Sequence, residues 1–357
     1  MVRFFHVVSL VVALLPVVAA HAKDDPAPGL IAVSAGESVA LVDPLTGAVQ
    51  SIPAGPVAWL FPAPGGILFA PDLVNGTTTV IDLNLLAARE RLDGVTMPHF
   101  GDLPDRYLVV AHQLLIMSYP ERALMNRFEI DFHNPWQVAV IADNTVLLVL
   151  ERDPIGEGQT AMVAVNLGDG RMVYRRPLGG DVRHFGLSPL LGLIALADAS
   201  GGQVVFADPG TLNPQATFAV AGSPVDLVFV DGGSTLAVAS ELPDGGGELV
   251  LWKVKAEKKK GLVIKKEWHI ALDGAPVRAA TSPDGKLIAV GFADGRLQII
   301  DVEEKTLVQT AVLPAAPRDI VWCDPSLAGP LLPAWTDDEP PTLDFGGRSE
   351  LKGVLPP

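Results

Sequence analysis

Residues 276–310 read PVRAATSPDGKLIAVGFADGRLQIIDVEEKTLVQT, and the order of runs and turns in them decides the fold. PVRAATS, from Pro276, is a first short run, and Pro283-Asp284-Gly285 punctuates it. LIAVGF, from Leu287, and RLQII, from Arg296, follow with Asp294-Gly295 between them; Asp301 closes the third run and TLVQT, from Thr306, makes a fourth. Each run is too short for a helix, is mostly Val, Ile, Leu or Ala, and is bounded by Gly, Pro or Asp. That pattern reads as four strands, a to d, joined by tight turns.

The same unit recurs along the chain, most clearly as GLIAVSAGESVALVDPLTGAVQSI from Gly29 and GQVVFADPGTLNPQATFAV from Gly202. The residue closing strand c falls at Asp43, Asp82, Ser118, Asn166, Asp208, Lys253 and Asp301, with spacings of 36 to 48 residues and a mean of 43. A four-stranded unit of that length cannot bury both of its faces alone, but packed against copies of itself around an axis it becomes the blade of a β-propeller. The expected fold is therefore all-β, a seven-bladed β-propeller. The closing Asp residues are expected to be structural, each carboxylate accepting backbone amides two residues on.

Strands b, c and d begin near Leu30, Ile67, Tyr107, Val146, Leu193, Leu236 and Leu287, and candidate strands a near Val57, His99, Trp136, Arg183, Val225, Val277 and Arg318. The first set has no strand a ahead of it, and the last strand a, residues 318–322, has no blade after it. The C-terminal strand a is thus expected to pair with the N-terminal strands b to d, which closes the ring and removes its exposed edges. Repeats three and four are the weakest. The third lacks the Asp turn and the fourth carries an inserted loop from Arg152 to Thr160, so six or eight blades stay open as alternatives.

Residues 1–22 carry a cationic start at Arg3, an apolar stretch from Val7 to Ala20 and a small-x-small end, Ala20-His21-Ala22. This is the pattern of a secretory signal peptide cleaved near Ala22, and the stretch is shorter than the roughly 20 apolar residues of a membrane span. The expected organisation is a signal peptide over 1–22, a propeller over 23–322 and a Pro- and acid-rich tail over 323–357 that packs in part through Trp335, Leu343 and Phe345. The expected place is the periplasm or the extracellular space, with no stable membrane insertion after cleavage, and a monomer is expected.

A formal charge of −15 argues against nucleic-acid phosphates or anionic lipid as partners. The one basic island, Lys253 to Glu267, reads as a long solvated hairpin with Gly261 near its tip, the alternative being a polyanion-binding finger. Cys323 is the only cysteine, so no internal disulfide forms and multi-thiolate metal sites are excluded. Asn75-Gly76-Thr77 fits both a glycosylation acceptor and a two-residue hairpin turn, of which the turn is preferred.

The repeats, above all SPDGKLIAVGFADGRLQIIDVEEKTLVQT from Ser282 and ALVDPLTGAVQSI from Ala40, resemble those of WD40-like and YVTN-type bacterial β-propellers over most of residues 29–322. The Gly-His and Trp-Asp pairs of WD40 repeats and the Tyr-Val-Thr-Asn signature are missing. The resemblance implies an interaction platform in the periplasm or outside the cell. Similar propellers also include lactonases and dehydrogenase subunits.

G-x-S-x-G, H-E-x-x-H, Walker and C-x-x-C motifs are absent from the sequence, and Gly156-Glu157-Gly158 and Gly245-Gly246-Gly247 read as loops. The remaining candidate is the mouth of the central channel, where the starts of all strands a converge. Aligning each strand a on its leading Pro, or on Val182 where Pro is missing, gives Ala58, Phe100, Gln137, His184, Asp226, Arg278 and Asp319, with His99, His133 and Arg318 nearby. Gln137, His184, Asp226, Arg278 and Asp319 form the expected polar ring. A neutral His beside an Asp has the makings of a base, and Arg278 suits a carboxylate or phosphate.

Against this ring stands the plainer reading of an unspecialised channel wall whose polar groups satisfy one another. A metal held by His99, His133 and His184 is the weakest alternative, so no metal and no cofactor are expected. The six Trp residues are expected to pack between blades. The expected function is that of an exported, non-catalytic propeller binding a protein or a ligand; the alternative is a small-molecule enzyme or cofactor-binding propeller with its site at the channel mouth.

Overall fold

The computed structural model of the chain describes residues 29–323 apart from 95–96, 101–104, 112, 142–143, 153–158 and 259–260. The proposed signal peptide, nearly all of the tail and most of the Arg152–Thr160 insertion lie outside the described residues. Seven antiparallel sheets of four strands each make up the fold. Blade 1 is composite: Pro317–Cys323 is its strand a, beside Leu30–Ala35, Ser38–Val42 and Val49–Pro53. Ile31 pairs with Trp322 and Val33 with Ile320, so the two ends of the ring are zipped together as the repeat mismatch demanded.

Blades 2 to 7 follow in chain order, starting from the strands a Phe61–Ala63, Pro98–His99, Gln137–Ile141, Val182–Ser188, Ser223–Val230 and Pro276–Thr281. The strands a of blades 5, 6, 7, 1 and 2 also pack side by side in that order. Alternation sorts the side chains. Strands b and c are buried on both faces, as in Ile67–Asp72 and Leu287–Phe292, whereas strands d, such as Ala87–Asp93, are mostly exposed. The core is seven clusters, each joining adjacent blades; Ile31, Val33 and Ile320 of blade 1 pack on Ala289, Leu297 and Ile299 of blade 7. The inner strands approach so closely that a Cβ on Gly291 would lie 2.6 Å from Pro317 and 2.7 Å from Ile320. Only the missing side chain lets blades 7 and 1 meet there.

The closing residues act largely as their types require. Asp43 Oδ1 accepts the amides of Leu45 and Thr46 at 2.8 and 3.1 Å, and Asp82, Asp208 and Asp301 do the same for their own turns. Asn166 and Ser118 substitute with side-chain oxygens of their own. Lys253 is the exception. Strands c and d of blade 6 run on as Gly247–Glu257 and Gly261–Leu272, so Lys253 sits within a strand and its ammonium binds Asp231 at 2.5 Å. The turn at Asn75-Gly76 spans four residues, 73–76, because Asp72 caps it by accepting the amides of Val74 and Asn75 at 3.0 Å.

Candidate functional site

Strand a enters the channel wall through a bulge, and the bulge decides which residue faces the axis. In blades 5, 6, 7 and 1 one extra residue on strand a, at Arg183, Val225, Val277 and Arg318, breaks the register. The next residue, His184, Asp226, Arg278 or Asp319, then points into the channel. In blade 2 one extra residue falls among Ala58, Trp59 and Leu60, between the Val57–Asp72 bridge and the Phe61–Phe69 pair. Ala58 is buried, and Trp59, not Ala58, lines the channel.

All five residues of the expected ring border one cavity of about 310 Å³. Blade order places Gln137, His184, Asp226, Arg278 and Asp319 on five consecutive blades, 4 to 7 and then 1. The remaining arc, blades 2 and 3, contributes Trp59, Phe61, His99 and Phe100. Trp59 and Trp136 pack against the clusters between blades 2 and 3 and between blades 4 and 5, as expected, and also border the cavity. Trp252 packs as expected too, 4.5 Å from Phe218. His133 and Arg318 do not border the cavity, so the three-histidine alternative is not assembled.

Most of the polar ring is a set of ties between blades. Asp226 Oδ2 accepts the amide of Ala279 in the next blade at 2.9 Å, and its Oδ1 accepts that of Leu227 at 2.8 Å. Asp319 repeats the motif, with Oδ2 on Leu60 at 2.8 Å and Oδ1 on Ile320 at 3.0 Å. Gln137 does so with an amide: Oε1 accepts from Phe185 N at 2.8 Å and Nε2 donates to Phe185 O at 2.7 Å. The partners Ala279, Leu60 and Phe185 are backbone groups of the neighbouring blade, which leave no signature in the sequence.

These bonds orient the His184 ring. Gln137 is oriented by the Phe185 backbone, so its Nε2 faces His184 Nε2, 3.0 Å away, as a donor, and in the matching tautomer the ring proton stands on Nδ1. Nδ1 lies 2.8 Å from Asp226 Oδ1, so the ring is in close contact with that carboxyl. The lone pair a base would need is taken up by Gln137. Burial raises the Asp226 carboxyl, yet His184, Arg278 and the Ala279 amide together outweigh it and hold the group below the usual carboxylate range. Asp319 goes the other way, because burial dominates over Arg278 and the two amides, and the Asp226 charge adds to the rise.

Two groups in the cavity keep unused capacity. Arg278 donates from Nη1 to its neighbour Val277 O at 3.2 Å, and has no other hydrogen bond or ion pair among the described residues. His99 stands edge-on to Phe61, with ring centroids 4.9 Å apart and no hydrogen-bond partner among the described residues. Burial lowers its pKa to about 4, so it is neutral at physiological pH. A second cavity of about 240 Å³ opens beside the first, sharing Trp136, Arg183 and Arg278 with it. Arg152 borders it too, 5.1 Å over the Trp136 ring and 3.8 Å from Asp181, which also holds Arg183 at 3.1 Å.

No family model and no curated protein matches the sequence. Solved structures do resemble it. A functionally unknown protein from Desulfotomaculum acetoxidans superposes with a TM-score of 0.64 at 12% identity, over 83% of this chain and 99% of that one. A putative 6-phosphogluconolactonase from Bacteroides fragilis gives 0.60 at 15%, over 83% and 99%. Kuenenia stuttgartiensis hydrazine synthase gives 0.59 at 15%, over 76% and 90%. The likeness is one of fold. At such identities a shared propeller carries no shared chemistry, since the frame hosts unrelated functions.

Proposed function

We propose that this chain is an exported, non-catalytic propeller, and that its platform role is to hold a small anionic ligand at the channel mouth. The observation that carries the reading is Arg278: a guanidinium opening onto a cavity with one of its five donors used, beside carboxylates whose oxygens already serve backbone amides. A bidentate acceptor supplied from outside fits those spare donors. A site volume near 310 Å³ is at the small end of ligand pockets, which run to roughly 1,000 Å³.

A non-catalytic role is favoured because the one histidine–aspartate pair in the channel has no free lone pair to receive a substrate proton. Export rests on the pattern of residues 1–22, and the WD40-like or YVTN-type repeat grammar speaks for a platform of that kind. Calorimetric titration of the purified chain with small carboxylates should show binding that Arg278→Gln abolishes without lowering the melting temperature. Equal binding by the two proteins would sink the reading. Mass spectrometry of the protein from its own cells should find Lys23 as the first residue.

A further inference from the structure

The channel has two unlike sides, and their arrangement specifies more than an anion. In a ring of seven, the blades opposite blade 7 are blades 3 and 4. Arg278 of blade 7 therefore faces Phe100 and His99 of blade 3 and Trp136 of blade 4 across the axis, with Trp59 of blade 2 completing the aromatic side. Phe100 is held in place by Tyr119, edge-on at 5.1 Å, and Tyr107 at 5.3 Å. The aromatic wall is thus a packed, fixed surface, and no ligand has to order it.

Resting on the anion-capture reading above, we propose that the ligand is a planar aromatic or heteroaromatic monocarboxylic acid, its carboxylate on Arg278 and its ring against Trp59 and Phe100. The ring side follows from geometry: flat π faces and edges lining a narrow cavity favour a flat partner in stacked or edge-on contact. The single charge follows from electrostatics. Asp226 is ionised and close enough to Arg278 for its carboxyl to be pulled down by it, so a second negative charge on the ligand would meet repulsion from that carboxylate. His99, neutral and unpartnered among the described residues, offers a donor or acceptor to a polar atom on the ring edge.

The test is saturation-transfer NMR and calorimetry on the whole chain with four probes at millimolar concentration: benzoate, cyclohexanecarboxylate, benzamide and phenyl phosphate. Benzoate should bind about tenfold tighter than each of the others, a discrimination of the size expected for one charge-assisted pair or one fixed stacking contact. Trp59→Leu should erase the preference over cyclohexanecarboxylate, and Arg278→Gln the preference over benzamide, in variants whose far-UV circular dichroism is unchanged. If cyclohexanecarboxylate or phenyl phosphate equals benzoate, or Trp59→Leu changes nothing, the ligand class is wrong while anion capture survives. If no probe binds, or Arg278→Gln binds all four as the parent does, both the class and the underlying reading fail.

Discussion

Asp226→Ala should be among the most destabilising single changes in the ring. The carboxylate is buried, and its loss strips the amides of Ala279 and Leu227 of their side-chain acceptor, 2.9 and 2.8 Å away, along with the contact to His184. Leaving a buried donor unmet costs about 1–3 kcal/mol. Two amides give about 2–6 kcal/mol, with the low end applying if channel water reaches Leu227. Against a typical total stability of about 5–15 kcal/mol, that is a large fraction. Urea unfolding followed by tryptophan fluorescence reads it as a fall in midpoint at constant slope.

Asp226→Asn separates the charge from the hydrogen bonds, since it keeps one acceptor and turns an NH2 toward the other amide. The folded carboxyl sits below the unfolded value of about 3.9, so its charge contributes stability that is present above about pH 4 and lost as pH falls through the folded value. The gap in stability between parent and Asp226→Asn should accordingly be constant from pH 5 to 7 and shrink below about pH 4. An Asp226→Ala variant within about 0.5 kcal/mol of the parent, the scatter of ordinary surface changes, would refute the inter-blade tie.

Three further outcomes follow from the same structure. Ending the chain before Pro317 removes the strand that pairs with Leu30–Ala35, so the truncated protein should aggregate in size-exclusion chromatography instead of eluting as a folded monomer. Gly291→Val drives a side chain into Pro317 and Ile320 and should cost about 1–3 kcal/mol by overpacking, measured by urea unfolding. Asp231→Ala should cost less than about 1 kcal/mol despite the 2.5 Å contact with Lys253, because the Asp231 carboxylate is 57% exposed and well screened.

The ring and its closure were legible because they rest on covalent periodicity: runs, turns and one strand left over at each end. The channel residues were legible wherever a Pro or Val leads strand a at a fixed offset, as at Asp226, Arg278 and Asp319. Blade 2 broke that rule. PVAW and PVDL look alike, but the extra residue falls among residues 58–60 in the first and is Val225 in the second, a difference of backbone pairing that side-chain types do not announce. Lys253 misled for a related reason, since a hairpin extended past the blade carries the same alternation as the blade itself. The ties from Asp226, Asp319 and Gln137 were invisible because their partners are amides of the next blade. So was the inertness of His184, which depends on how the Phe185 backbone orients Gln137.

A heavy-atom-labelled ligand locates the site outright. Crystals of the chain soaked with 4-bromobenzoate, measured at the bromine absorption edge, should give one strong anomalous peak inside the channel on the side of Trp59 and Phe100, with carboxylate density at the Arg278 guanidinium. A peak only on the outer faces of the blades or along the lysine-rich hairpin of blade 6, with the channel holding water alone, would contradict capture of an aromatic acid at this mouth.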